Sequence, residues 1–489
     1  MKSARSNNVM IVRLLAGLAP ILLAGCTVGP DYVKPDISHP EQFRSAISQA
    51  DAASFADLPW WDVFEDPALE SLIAKGLAAN PDIQIAISRI EQARAFVGVA
   101  KSEGLPQIGY QAGAGGEQTV TPQEGRIGSD GIDTVSFASA TGALNAAWEL
   151  DIWGRIKRQT QAARANLLAK EEIRRGVMLT LVSDIANGYF RLIELDRQLA
   201  ISRESESVFQ KMHELFSIRH EAGRDSLLPA QRAKALWDSS RAKSADVQRS
   251  ITQQENAISI LIGGYPQPIE RGVPLTQQAL PATPVGLTTD LIRRRPDIRE
   301  AEQVMIGANA EIGVAVANFY PRIGLSTLLG FIGINAENGI DGGFSFWRGL
   351  GGLTGPIFTG GRLESIYDER KAFWDEAVAG YRKTVLVAFR ETSDALVAQE
   401  NLAARRAALE AQIVALRRAV DLATERYRGG RSTYFEVLEA QQQLYPAEAE
   451  LAQTQEDQLA AVVDLYKALG GGWKLTDEQW TSQSSQASQ

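Results

Sequence analysis

Asn80-Pro81-Asp82-Ile83 opens a stretch that closes at Leu105-Pro106-Gln107-Ile108, and Arg295-Pro296-Asp297-Ile298 opens another that closes at Tyr320-Pro321-Arg322-Ile323. Both proline-to-proline intervals are 25 residues, so the chain contains two copies of one unit, 215 positions apart. Further on, Gly154-Arg155 matches Gly361-Arg362 and Gly223-Arg224 matches Gly430-Arg431, an offset of 207. The lost 8 positions fall between the second proline and the Gly-Arg pair, which places a loop of different length there in each copy. A duplicated chain sets equivalent elements around a pseudo-symmetric axis, a geometry that suits a tube better than an enzyme pocket.

Each copy has the same internal order. A helix covers 70–104, and residues 105–119 and 134–150, rich in Gly, Ala, Ser, Thr and aromatics, flank the turn-rich 124–131. In the second copy Ile323, Leu325, Thr327, Leu329 and Phe331 alternate with Gly324, Ser326, Leu328 and Gly330, a period-2 strand with one apolar and one small face. Its partner is expected at 344–358 after a turn near 337–343, so hairpins at 105–150 and 321–358 give four strands. Residues 155–222 and 362–429 are unbroken helical patterns of 68 residues each, roughly 100 Å at about 1.5 Å per residue. Leu181, Ile185, Gly188, Leu192, Leu195 and Leu199 step by 4 and 3. So do Leu402, Leu409, Ile413, Leu416, Val420, Ala423 and Tyr427, apart from one seven-residue step, a spacing that implies left-handed supercoiling against neighbouring helices. Gly223 and Gly430 break these runs, and returning helices at 225–262 and 432–469 complete two helical hairpins.

The expected organisation is therefore a signal peptide at 1–25, an extended segment at 26–69, a first repeat at 70–262, a linker at 263–286, a second repeat at 287–470 and a tail at 471–489. Lys2, Arg5 and Arg13 precede the apolar run Leu14 to Ala24, as in a secretory signal. Leu23-Ala24-Gly25-Cys26 has the form of a bacterial lipobox, which predicts cleavage before Cys26 and acylation of its sulfur, and Thr27 follows rather than an aspartate. Cys26 is the sole cysteine, so no intrachain disulfide exists. Beyond residue 25 no apolar run reaches about 18 residues. A mature chain that crosses a membrane must then do so as a closed β-barrel.

The net charge of −9 argues against a nucleic-acid partner. Enzyme signatures are missing as well. His213-Glu214 is followed next by His220, not a metalloprotease spacing, and Gly-rich 349–355 lacks the Gly-Lys-Ser/Thr of a phosphate loop. His213 and His220 lie on the stripe of Phe209 and Phe216, which predicts packing roles. No cofactor, metal site or catalytic residue is expected.

Four strings span nearly the whole mature chain: Cys26-Thr27-Val28-Gly29-Pro30-Asp31-Tyr32, Arg293-Arg294-Arg295-Pro296-Asp297-Ile298-Arg299, Pro356-Ile357-Phe358-Thr359-Gly360-Gly361 and Tyr466-Lys467-Ala468-Leu469-Gly470-Gly471-Gly472-Trp473. In them the chain resembles the TolC- and OprM-like outer-membrane efflux channel-tunnels, and specifically their lipoprotein branch. Four strands cannot close a membrane barrel, whose smallest examples have 8. The resemblance implies a homotrimer, mainly α with a 12-stranded β-barrel inserted in outer-membrane lipid above a periplasmic α-helical barrel. It further implies a passive exit duct for drugs or other small molecules in a Gram-negative outer membrane, with a periplasmic adaptor (membrane fusion) protein and an inner-membrane resistance-nodulation-division pump as partners. Pro106 and Pro321 would mark the junction of tunnel and barrel. The turns after Gly223 and Gly430 would be the periplasmic tips. Phe435 and Glu439, four residues apart and so on one helical face, would form apolar and acidic rings of the periplasmic gate. The plainer reading of Glu436 and Glu439 is a solvated helix face. The alternatives for the whole chain are the outer duct of a type I protein secretion system and a structural coiled-coil lipoprotein without a pore. The cargo is not written in the sequence.

Overall fold

The computed structural model describes residues 27–36, 64–122, 132–281, 294–336 and 340–471. Signal peptide 1–25, Cys26, Trp60-Trp61, the end of the linker and nearly all of the tail lie outside them. The described chain forms helices α1 (Pro67–Ala79) and α2 (Pro81–Ser102), strands β1 (Gln107–Pro122) and β2 (Ile132–Leu150), and helices α3 (Arg155–Glu221) and α4 (Leu227–Leu261). The order then repeats as α5 (Pro296–Ala317), β3 (Arg322–Ala336), β4 (Ile340–Thr354), α6 (Arg362–Arg428) and α7 (Tyr434–Ala468). Helices α3 and α6 have 67 residues each, and α4 and α7 have 35 each, so the duplication fixes element length as well as order. No described helix is long and apolar enough to cross a membrane.

The expected helix 70–104 is two helices, and one dipeptide is the cause. Pro81 has no N–H and disfavours a helical residue before it. Asn80 accordingly leaves the helix at φ −63°, ψ 127°. Its Oδ1 accepts from Asp82 N at 2.8 Å and Ile83 N at 3.4 Å, capping α2. The strands also differ from expectation. β1 continues to Pro122 and β2 starts at Ile132, paired to each other at that end, while β4 starts at Ile340 and stops at Thr354 rather than 358. Pro356 cannot donate to a ladder, and Gly355 lies so close to Pro321 that an added Cβ would sit 3.0 Å from its Cα.

Two compact units result. One gathers the described residues of 1–35, 90–169 and 301–380 and holds the antiparallel sheet, ordered β1-β2-β3-β4. Glycines in the sheet are covered by rings: a Cβ on Gly330 would meet the Phe346 ring at 2.7 Å, and one on Gly343 the Phe331 ring at 2.3 Å. The other unit gathers the described residues of 36–89, 170–300 and 381–489. Its core is the anticipated stripe. Leu181, Ile185, Leu192, Leu195 and Leu199 of α3 are buried with Val247, Ile251 and Ile258 of α4, Leu459, Val462 and Tyr466 of α7, and Leu469 at its C-cap. Each such side chain contributes about 1.5–3 kcal/mol by leaving water. Gly188 completes the stripe because a Cβ there would press on Ile258 at 3.3 Å.

The helix ends use one device in both copies. Gly223 (φ 66°) and Gly430 (φ 67°) end α3 and α6, with Arg224 N donating to Arg219 O at 2.9 Å and Arg431 N to Arg426 O at 2.8 Å. At the far ends of α4 and α7 the copies have diverged. Asn80 Nδ2 donates to Leu261 O at 2.9 Å in the first. In the second Arg295 takes that part, donating to Ala468 O at 3.0 Å, Asp297 at 2.7 Å and Glu391 at 2.8 Å. The described part of the linker, 263–281, is pinned. Asp66, fully buried, caps α1 and accepts from Tyr189 Oη at 2.8 Å, Val273 N at 3.1 Å and Gln278 Nε2 at 2.7 Å. Burial, with Asp66 beside it, pushes the Tyr189 hydroxyl well above its ordinary pKa, so it stays a donor.

Candidate functional site: barrel wall, anchor point and periplasmic tip

Alternation along each strand and the pairing register sort the sheet's side chains onto two faces. Register brings Tyr110 opposite Leu144, Leu144 opposite Leu329, and Leu329 opposite Trp347. That face also carries Ile108, Trp148, Leu325, Phe331 and Leu353, and these large apolar groups are between 39% and 83% exposed. A water-facing surface of this kind would be costly, and a lipid-facing one is favourable. Trp148 sits at the edge of the apolar band and donates its indole N–H to Gly104 O at 3.0 Å. The opposite face bears Gln107, Gln111, Asn145 and Glu149. Glu149, with Glu103, is held by Arg155 at 3.0–3.2 Å just past the end of β2.

Cys26 lies outside the described residues, but the segment that follows it is anchored at this same end of the sheet. Val28 N donates to Trp153 O at 3.1 Å, Arg158 pairs with Asp31 at 2.9 Å, and Asn309 Nδ2 donates to Pro30 O at 3.0 Å. Gly29 (φ 89°) has no room for a side chain, since a Cβ would meet Gly313 Cα at 2.7 Å. Residues 28–31 of the proline-rich segment are thus held by backbone and side-chain contacts.

At the tip, α7 buries Val437 and Leu438 and leaves Phe435 and Glu439 exposed, so the two share one outward side of the helix. Tyr434 turns inward, 4.5 Å from Phe216 and 4.8 Å from Tyr427 between ring centroids. Burial raises its hydroxyl pKa. Phe435 has a partner that sequence reasoning missed. The guanidinium of Arg232 on α4 lies 5.3 Å from its ring centroid. The 207-residue offset makes Arg232 the first-copy equivalent of Glu439, so the duplicated tips carry opposite charge at one position. That arithmetic was the available signal. Of the two histidines, His213 packs as expected, stacked on Trp237 with Nδ1 3.1 Å from Ala230 O. His220 does not. It is exposed, with Nδ1 3.1 Å from Asp225 O, because the helix ends one residue later and the stripe has nothing left to pack on.

Further along the same helices lies a buried acidic seam that the sequence did not announce. Glu194 on α3 is fully buried and pairs with Arg191 at 2.9 Å. Arg191 also donates to Gln453 on α7, whose amide reaches Glu456 at 2.7 Å and Asp457 at 3.0 Å. Arg405 of α6 approaches Asp457 at 3.8 Å. Burial, reinforced by Asp457, pushes the Glu456 carboxyl up to about 7. Burial likewise raises Glu194, with Arg191 opposing it.

Residues 72–264 and 287–471 match the sequence profile of the family described as outer membrane efflux protein. The chain is 32% identical to the probable efflux pump outer membrane protein TtgC of Pseudomonas putida, over 96% of this chain and 98% of that one. It is 29% identical to the cation efflux system protein CusC of Escherichia coli, over 94% and 99%. The open-state crystal structure of the Neisseria gonorrhoeae MtrE outer membrane channel superposes with a TM-score of 0.79 at 29% identity, over 92% of this chain and 99% of that one. A duplicated helical hairpin, a four-stranded sheet with a lipid-compatible face and these matches lead to one conclusion: the chain belongs to the outer membrane efflux protein family.

Proposed function

We propose that three copies of this chain close one 12-stranded barrel in the outer membrane and serve as the passive exit duct of a tripartite efflux system for small molecules. The observation that carries this reading is the open sheet. Its order leaves β1 and β4 as edges, and a charge-free apolar face spans the middle of all four strands. In lipid, unpaired edge N–H and C=O groups cost several kcal/mol each, so only closure is tolerable. Strand direction alternates across the sheet, so β4 of one copy and β1 of the next meet antiparallel. Two copies give 8 strands and fill with side chains, and three give 12 and leave water inside. Relatives named as efflux pump outer membrane proteins support the same reading, as does the family's residence in Gram-negative outer membranes. A periplasmic adaptor would grip the helical tips and join them to an inner-membrane resistance-nodulation-division pump, which would supply the energy. Native mass spectrometry of the detergent-extracted protein, before and after adding the purified adaptor, tests this. Three chains, gaining adaptor mass, are expected; a monomer or an adaptor-blind species contradicts it.

A further inference from the structure

The middle of the sheet carries a single charge. Across residues 108–116, 138–148, 323–334 and 342–353 there is no Asp, Glu or Lys, and the only Arg is Arg348 on β4. Arg348 pairs across the ladder with Leu328, which pairs in turn with Asn145. Alternation puts it on the side opposite Trp347, the side of Gln111 and Asn145. On the lipid side an arginine at mid-membrane would cost about 2–4 kcal/mol; here it costs little. Arg348 is exposed, and among the described residues it has no ion pair or hydrogen bond. Its neighbours on that side are apolar: Phe346 and Leu350 two residues away, Leu328 opposite, and Phe344 with its ring centroid 6.5 Å from that of Phe346. On the second hairpin this face carries Ser326 diagonal to Arg348, and Arg322 and Thr354 at the strand ends, but is otherwise apolar or glycine, so a largely apolar strip surrounds a guanidinium that has no ion pair among the described residues.

We propose that Arg348, with Phe346, Leu350 and Leu328 around it, is a weak binding station on the water-filled side of the barrel for small organic anions with an apolar body. The proposal rests on the three-chain barrel described above. A guanidinium offers a planar fork that matches a carboxylate or sulfonate with two parallel hydrogen bonds. The flanking rings and leucines take the apolar body out of water. Threefold symmetry repeats the station as a ring of three, and rings of arginine favour anions in pores. Exposure to water keeps each site weak, as a duct requires, because conducted species must also leave.

The full-length protein in planar bilayers tests it, with naphthalene-2-sulfonate added from the barrel side as the probe and naphthylmethylammonium as the cationic control. The wild type is expected to show transient current block by the sulfonate only. Arg348→Gln should abolish that block and lower the chloride-to-potassium permeability ratio roughly twofold or more. Arg348→Lys should keep the ratio but weaken the block, because the fork is lost. Equal block by both ions, or block and ion selectivity unchanged in Arg348→Gln, overturns the station while leaving the channel intact. A wild type with no conductance at all removes the channel reading, and the station with it.

Discussion

Glu456 shows what a single buried carboxylate does to a helix seam. It is 8% exposed, and its carboxyl is pushed from 4.5 up to about 7 by burial and by Asp457. A raised acid pKa means that the folded state holds the proton more tightly than the unfolded one. The seam is therefore unpenalised below about pH 4.5, and stability falls as pH rises from there to about 7, by about 3 kcal/mol per chain. Glu456→Gln should raise the melting temperature at pH 8 and leave it unchanged at pH 4.5. A lower melting temperature at pH 8 would mean that Arg191 stabilises the charge more than burial penalises it. Cys26 is the other residue on which a claim depends. Thr27 to Asp31 are tied beside the end of β2, and lipidation of Cys26 is a claim that mass can test. Intact mass of the extracted protein should show a chain beginning at Cys26 with acyl mass added, and Cys26→Ser should lose the lipid while keeping the fold. A bare peptide mass would refute lipidation.

At the scale of elements, the tip of α7 has a checkable role. Phe435 and Glu439 face outward together, and Arg232 lies over the Phe435 ring, an exposed contact of about 0.5–1 kcal/mol. If this face lines a closed aperture, Phe435→Ala with Glu439→Ala should raise basal conductance and weaken cation preference. Wild-type conductance with a less stable assembly would instead place the face against neighbouring helices. For the hairpins, Ser129 and Gly339 lie outside the described residues, in the sequence between β1 and β2 and between β3 and β4. Single cysteines there should react with an impermeant thiol reagent on intact cells, and labelling only after outer-membrane rupture would invert the topology. Both the legible and the illegible parts of these elements have physical reasons. The repeated prolines and Gly-Arg pairs marked helix starts and stops because each enforces a backbone geometry that few residues permit. The break at Asn80-Pro81 was masked by apolar periodicity that runs on through it. The strand ends next to the turns were read short because turn-forming residues such as Pro122 and Gly342 are held in the ladder by register, a non-local constraint, while the far end of β4 was read four residues too long. Arg232 and the Glu194–Glu456 seam stayed hidden because their partners lie more than 200 residues away, on helices whose facing is decided by packing.

For the whole molecule, everything turns on whether copies of a four-stranded sheet close around water. The amphipathic sheet, its two open edges and the duplicated helical hairpins acquire a common purpose only in a closed assembly. Single-channel recording of the purified, mass-defined assembly in planar bilayers is the direct measurement. The account predicts discrete, long-lived conductance steps of uniform size that appear only with the trimer fraction. Membrane-bound protein that gives no steps, or steps of equal size from monomeric fractions, would contradict it.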